Sequence, residues 1–211
     1  MADRSKPILY GADYSVYVRI ARMTLEEKGV GYNLVPVDVF AEGGPPDWYL
    51  ERHPFARIPA FEHDGFRLFE TGAITRYVDE AFQGPSLQPA DARRRAVMNQ
   101  IIGLVDAYAY RAMVWDVAVE RLEGNPPDEK RIAAGLGVAR TALTVLSDLK
   151  TPGDWLLGDM VSLADLHLAP VIGYFLNVEE GRDVLATVPA IAQWWDTVSI
   201  RSSFVGTTRA S

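Results

Sequence analysis

Two hydroxyl side chains stand where a short apolar run gives way to a helical pattern. Ser15 follows Ile8-Leu9-Tyr10 and opens a periodic stretch, residues 15–28, that Gly29 ends. Thr71 follows Phe66–Phe69, is preceded by the carboxylate of Glu70, and opens a second such stretch, residues 71–82. A hydroxyl in that place can cap the helix, or it can join the free first-turn amides and the helix dipole as a donor to a bound anion. From spacing alone capping is the plainer use of Ser15, and both uses are open to Thr71.

The chain of 211 residues contains no cysteine. A thiol nucleophile, a disulfide and a thiolate metal site are thereby excluded, so any thiol chemistry must come from a ligand. His53, His63 and His167 show no HExxH or paired spacing, and no metal site is expected. A formal net charge of −7 disfavours nucleic acid and anionic membrane surfaces, which reward clustered cations, and leaves small molecules and proteins as partners. The start MADRSKPILYGAD lacks a signal-peptide core, and no stretch approaches 18 uninterrupted apolar residues. A cytoplasmic protein is the expectation.

With 48% apolar residues the chain can bury one large core or two modest ones. Its character changes at Gln83-Gly84-Pro85-Ser86. Before that point, strand-like and helix-like runs alternate: residues 8–10, 15–28, 32–37, 47–50, 58–63, 66–69 and 71–82, with Asp64-Gly65 as the hairpin turn. The order β-α-β-α-β-β-α implies a mixed sheet with helices on both faces. After it only helical periodicity appears. One long helix over 91–123 carries Val97, Ile101, Leu104, Tyr108, Trp115, Val119 and Leu122. A second carries Ile132 to Leu149, a third opens at Ser162-Leu163-Ala164-Asp165 with a capping box, and a fourth starts at Pro189. The division is 1–82, a linker at 83–91, and an all-helical domain at 92–211.

Three segments together resemble the cytosolic glutathione transferase family in its bacterial-type, serine-containing form. They are Leu9-Tyr10-Gly11 with Ser15, Arg19 and Leu25-Glu26-Glu27-Lys28-Gly29; His53-Pro54-Phe55-Ala56-Arg57-Ile58-Pro59-Ala60-Phe61 with Glu70-Thr71; and Ser162-Leu163-Ala164-Asp165. The likeness extends over nearly the whole chain. It implies a thioredoxin-like first domain that binds glutathione, an all-helical second domain, a detoxifying transferase activity and a homodimer.

The resemblance also assigns roles. Ser15 is the donor that stabilises the glutathione thiolate, with Tyr14 as the alternative, because some branches of the family use a tyrosine; Tyr17 reads as packing. Pro59 is expected to follow a cis bond and to turn the Ile58 backbone toward the cysteinyl unit. Thr71 and Glu70 are expected at the γ-glutamyl carboxylate and amino group, and Arg57 at the glycyl carboxylate. Tyr108, Arg111 and Trp115 are expected to line the second-substrate pocket, where Arg111 needs an anionic partner or ligand. The sequence departs from the family with His53 for the usual Asn, Ala56 for the common Gly, and no Lys or His at 41–46. Two other readings stay open: a non-catalytic relative that carries apolar ligands or docks on a protein, and a glutathione-dependent isomerase, ether-cleaving enzyme or dehalogenase.

Overall fold

The computed structural model describes residues 6–208; the outermost residues of the two sequence-assigned domains, 1–5 and 209–211, lie outside it. The described residues divide into two compact units, one of residues up to 86 joined by 205–208 and one of 87–204.

The first unit runs β1 (Ile8–Tyr10), α1 (Val16–Glu27), β2 (Asn33–Val35), α2 (Asp47–Leu50), β3 (Ala60–His63), β4 (Phe66–Phe69) and α3 (Thr71–Ala81). Its sheet has the order β2-β1-β3-β4, with β1 parallel to β2 and antiparallel to β3. Strand alternation sends Leu9 and Phe61 to one face, where Val18, Ala21 and Leu25 of α1 and Ile74 and Val78 of α3 cover them. Tyr10 and Ala60 point to the other face and meet Tyr49 of α2 and Val37. The expected mixed sheet with helices on both faces is therefore present. Asp64 and Gly65 both take positive φ, 49° and 80°, which is the turn that an Asp-Gly pair favours between β3 and β4.

β2 is shorter than the expected 32–37. Pro36 has no N–H for the ladder, so pairing stops at Val35, although Val37 still donates to the Gly11 carbonyl at 3.2 Å. β3 likewise begins at Ala60, after Pro59, rather than at residue 58. The ends of the unit are tied by buried polar groups. Lys28 reaches Asp79 at 3.1 Å and the Pro85 carbonyl at 2.9 Å. Arg19 and Arg22 of α1 donate to Thr207 and Thr208, which brings the chain's last described residues back onto the first unit.

The second unit contains α4 (Ala92–Leu104), a π-helical stretch (Val105–Val119), α5 (Glu120–Glu123), α6 (Glu129–Leu149), α7 (Leu163–Phe175), α8 (Glu179–Ala186) and α9 (Pro189–Ser199), and the division at 204/205 falls inside α10 (Ser202–Gly206). The long helix expected over 91–123 changes register after Leu104. A π-helix closes i to i+5 bonds and turns more slowly, and the buried positions of this stretch are Val105, Ala109, Ala112, Met113, Val114, Val117 and Ala118. Tyr108 and Leu122, placed in the buried stripe by ordinary helical periodicity, are exposed.

α6 has the length and mean hydropathy, 1.4, of a membrane span, yet its Ile132, Ala139, Leu143 and Leu146 lie in the core of this unit. Leu87, in the segment read as an exposed linker, is only 1% exposed, and its carbonyl accepts from Leu163 N. The short α8 and α10 escaped the sequence reading; at eight and five residues, they hold too few turns for a periodic signal. Of the two tryptophans of α9, Trp194 is the core residue.

Candidate active site

The sheet register brings three chain segments to one end of the first unit. Tyr10 pairs with Ala60, and Ala60 pairs with Phe69. The loop that leaves β1 toward Ser15, the Ile58-Pro59 entry to β3, and the Glu70-Thr71 exit from β4 are therefore neighbours. Gly11 permits the closest approach: a Cβ there would lie 2.4 Å from Val18 Cγ2 and 3.4 Å from Ile58 Cβ. The Ile58-Pro59 bond is cis, as the resemblance implies. The N-termini of α1 and α3 open at this end, so two sets of first-turn amides and two positive dipole ends serve it.

Ser15 is the N-cap of α1, extended at φ −77° and ψ 125°, and its Oγ accepts from Val18 N at 3.4 Å. That bond uses an oxygen lone pair and leaves the hydroxyl proton for another acceptor. The capping and donor readings of this residue are compatible on one atom. Tyr14 is placed differently. Its Oη donates to Asp38 Oδ1 at 2.8 Å, and burial, followed by that carboxylate, pushes its pKa up to about 12. The phenol therefore keeps its proton at neutral pH and already directs it at Asp38.

Thr71 is 6% exposed and occupies the first position of α3. Glu70, the residue before it, has φ 71° and ψ 114°, a conformation that costs an ordinary side chain on the order of 1–3 kcal/mol. Its carbonyl accepts from Ala73 and Ile74 and so fixes the first turn of the helix. On the other side of the site the Arg57 carbonyl accepts from Tyr49 Oη at 2.6 Å, which leaves the exposed Arg57 guanidinium on an anchored backbone.

His53 lies between these two charged residues. Its buried ring packs on Phe69 at 4.9 Å, burial lowers its pKa, Glu70 acts in the opposite sense, and Arg57 reinforces the lowering. An imidazole so placed is neutral at pH 7.

Ala56 has φ 53°, in the left-handed region. Ala56→Gly is expected to raise unfolding stability by about 1 kcal/mol, because glycine meets no Cβ penalty there. Urea denaturation monitored by circular dichroism checks it.

In the second unit, the three pocket candidates sit within the π-helical stretch. Tyr108 is 60% exposed. Arg111 finds its anionic partner five residues on, at Asp116, 3.0 Å away, and Trp115 Nε1 donates to Tyr110 Oη at 2.9 Å, again across five residues. Both pairs follow the wider turn of this helix. Asp116 also receives Arg131 from α6, so the charge of Arg111 is compensated within its own unit. The sequence reading missed Asp38. No motif marks it, but the parallel register of Tyr10 with Val35 sets residues about 25 apart side by side, and that signal was available once β1 and β2 were recognised as partners.

Comparison with known proteins identifies the family. Residues 9–86 match the family model described as glutathione S-transferase, N-terminal domain, and residues 129–196 match the C-terminal domain of the same name. Glutathione S-transferase F10 of Arabidopsis thaliana is 30% identical over 87% of this chain and 88% of its own. Glutathione S-transferase F13 of the same plant is 29% identical over 93% and 92%. A solved structure of glutathione S-transferase-I bound with lactoylglutathione superposes with a TM-score of 0.83 at 26% identity, covering 96% of this chain and 98% of that one. With both family domains matched in order, and relatives aligned along almost their full length, the chain belongs to the glutathione S-transferase family.

Proposed function

We propose that the protein transfers glutathione to small, mostly apolar electrophiles and that Ser15 holds the glutathione sulfur as a thiolate. The thiol gives its proton to solvent, the sulfur lone pair forms a bond to the electrophilic carbon, and the displaced group leaves with its electron pair. An ordinary thiol has a pKa of about 8.5, and lowering it by about two units takes roughly 2.7 kcal/mol of preference for the anion. A hydroxyl donor to a charged acceptor contributes roughly 1.5–3 kcal/mol, and a helix N-terminus about 0.3–1 kcal/mol more. Ser15 is in a position to supply both. The observation that carries the choice is the pair of hydroxyls: the Ser15 proton is left for an external acceptor, whereas the Tyr14 proton is directed at Asp38.

In this reading residues 1–82 bind glutathione, 83–91 link, and 92–211 meet the electrophile. The Ile58 backbone before Pro59 pairs with the cysteinyl unit. The γ-glutamyl carboxylate takes the Thr71 hydroxyl and first-turn amides, Glu70 balances the ligand's amino group, and Arg57 meets the glycyl carboxylate. Tyr108, Arg111 and Trp115 are the side chains assigned to the second substrate. Glutathione serves as co-substrate with no metal, and we assign a cytoplasmic homodimer.

Thr71→Val keeps the shape and removes the hydroxyl. The KM for glutathione should rise about tenfold with the thiol midpoint unmoved, as for a contact made equally in ground and transition states. Initial-rate kinetics at varied glutathione and pH checks this. The reading as a whole is tested by near-ultraviolet absorbance of bound glutathione against pH. A midpoint well below that of free glutathione supports it; an unshifted midpoint with glutathione bound would indicate a non-catalytic carrier.

A further inference from the structure

The Tyr14 hydroxyl, having no part in that mechanism, joins two loops at the site. The first loop leaves β1 and carries Ser15; the second leaves β2 and runs from Pro36 to α2. Backbone bonds join their roots, with Gly11 N donating to the Val35 carbonyl at 3.0 Å and Val37 N to the Gly11 carbonyl at 3.2 Å. One step further out, side chains take over. Asp38 Oδ1 accepts both Tyr14 Oη at 2.8 Å and Phe40 N at 2.9 Å, and the rings of Tyr14 and Phe40 lie 5.9 Å apart. From Ala41 to Gly43 the loop is exposed, and it turns through Gly43 and Gly44, at φ 84° and 82°, with a turn bond from Gly44 N to the Ala41 carbonyl. Two consecutive glycines in the left-handed region give this segment little stiffness of its own. The Asp38 carboxylate is thus a side-chain fastening shortly before a soft turn, and the residue that fastens it is bonded directly to Ser15.

We propose that Tyr14 is a positioning residue: through Asp38 it latches the loop at 36–46 to the serine-bearing loop, and so sets glutathione affinity without ionising the thiol. The proposal rests on the assignment of the thiolate to Ser15. It also gives a physical reason for a tyrosine beside the active serine in this chain. A phenol reaches across to the next loop, while the shorter serine hydroxyl stays at the helix mouth.

Tyr14→Phe removes one oxygen and keeps the ring on Phe40. Its dissociation constant for glutathione is expected to rise roughly five- to tenfold, with kcat within about twofold and the titration midpoint of the bound thiol unchanged. In the ligand-free protein, hydrogen exchange at the Phe40 amide should accelerate by several fold, because its acceptor is no longer held. Asp38→Ala should reproduce both effects, Asp38→Asn should keep most of the affinity through its remaining amide oxygen, and Tyr14→Phe combined with Asp38→Ala should add little to either change alone. A raised thiol midpoint in Tyr14→Phe would overturn the proposal and transfer the thiolate to the phenol. Unchanged affinity together with unchanged Phe40 exchange would overturn it as well. The exchange measurement needs neither glutathione nor turnover, so a failure of Ser15→Ala to move the midpoint would defeat the thiolate assignment without being mistaken for failure of the latch.

Discussion

Ser15→Ala is expected to raise the titration midpoint of bound glutathione by about 1.5 to 2 units and to lower kcat/KM at pH 6.5 by roughly 30- to 100-fold. The first-turn amides of α1 remain, so a small part of the depression should survive. The sign follows from which form reacts. In the parent protein the rate rises with pH through a depressed midpoint and then levels; in the variant it continues to rise toward pH 9, and the two profiles converge where the thiol ionises unaided. A simple loss of glutathione binding would lower the profile at every pH instead. Loss of the cap to Val18 N costs the variant about 1 kcal/mol of stability, which a thermal melt monitored by circular dichroism measures separately.

The second large effect belongs to Asp165, in the helical unit. This carboxylate is fully buried and collects four donors: Leu156 N and Trp194 Nε1 on Oδ1, and Ser162 N and Ser162 Oγ on Oδ2, each at 2.8 Å. It joins the start of α7, the loop before it and the core tryptophan of α9. Burial pushes its pKa up, and the hydrogen bonds oppose that shift. Removing the acceptor leaves buried donors unpaired at about 1–3 kcal/mol each, so Asp165→Ala should destabilise the protein by about 4 kcal/mol after partial relaxation. For a chain of this size that corresponds to a fall of about 10 °C in Tm. Asp165→Asn, which retains one acceptor oxygen, should lose about half as much. A melt within about 2 °C of the parent for the alanine variant would mean that water replaces the carboxylate.

The sequence was most legible where local chemistry decides the backbone. Ser15 before a periodic run, Gly29 after it, Asp64-Gly65 between two apolar runs and Ser162 three residues before Asp165 each specify a terminus or a turn within a few residues. Their structural counterparts are a cap, a helix end, a hairpin and a capping box. The candidate site was legible to the same degree, because the register of three strands brings Ser15, Ile58-Pro59 and Glu70-Thr71 to one end once the strand order is known. Long-range effects were harder to read. Leu87 looks like linker by composition but is buried, with its carbonyl accepting from Leu163 N at the start of α7. The π register between Val105 and Val119 moves Tyr108 out of the stripe that a period of 3.6 assigns it, and no single residue announces the change. Asp38 is invisible as a motif, since its importance lies in a partner 24 residues away.

The return of the chain to its starting unit has a consequence for biosynthesis. The polypeptide leaves the first unit after Ser86 and rejoins it at Val205, so the helical unit is topologically an insertion. Arg19, its guanidinium pushed down to about 10 by burial and then by Arg22, waits for Thr207 and Thr208, the last residues of the described chain. On the ribosome the nascent sheet can form early, but α1 lacks these partners until the whole helical unit has been made. A fragment ending at residue 86 would therefore be missing part of its own packing, however faithfully it follows the apparent boundary.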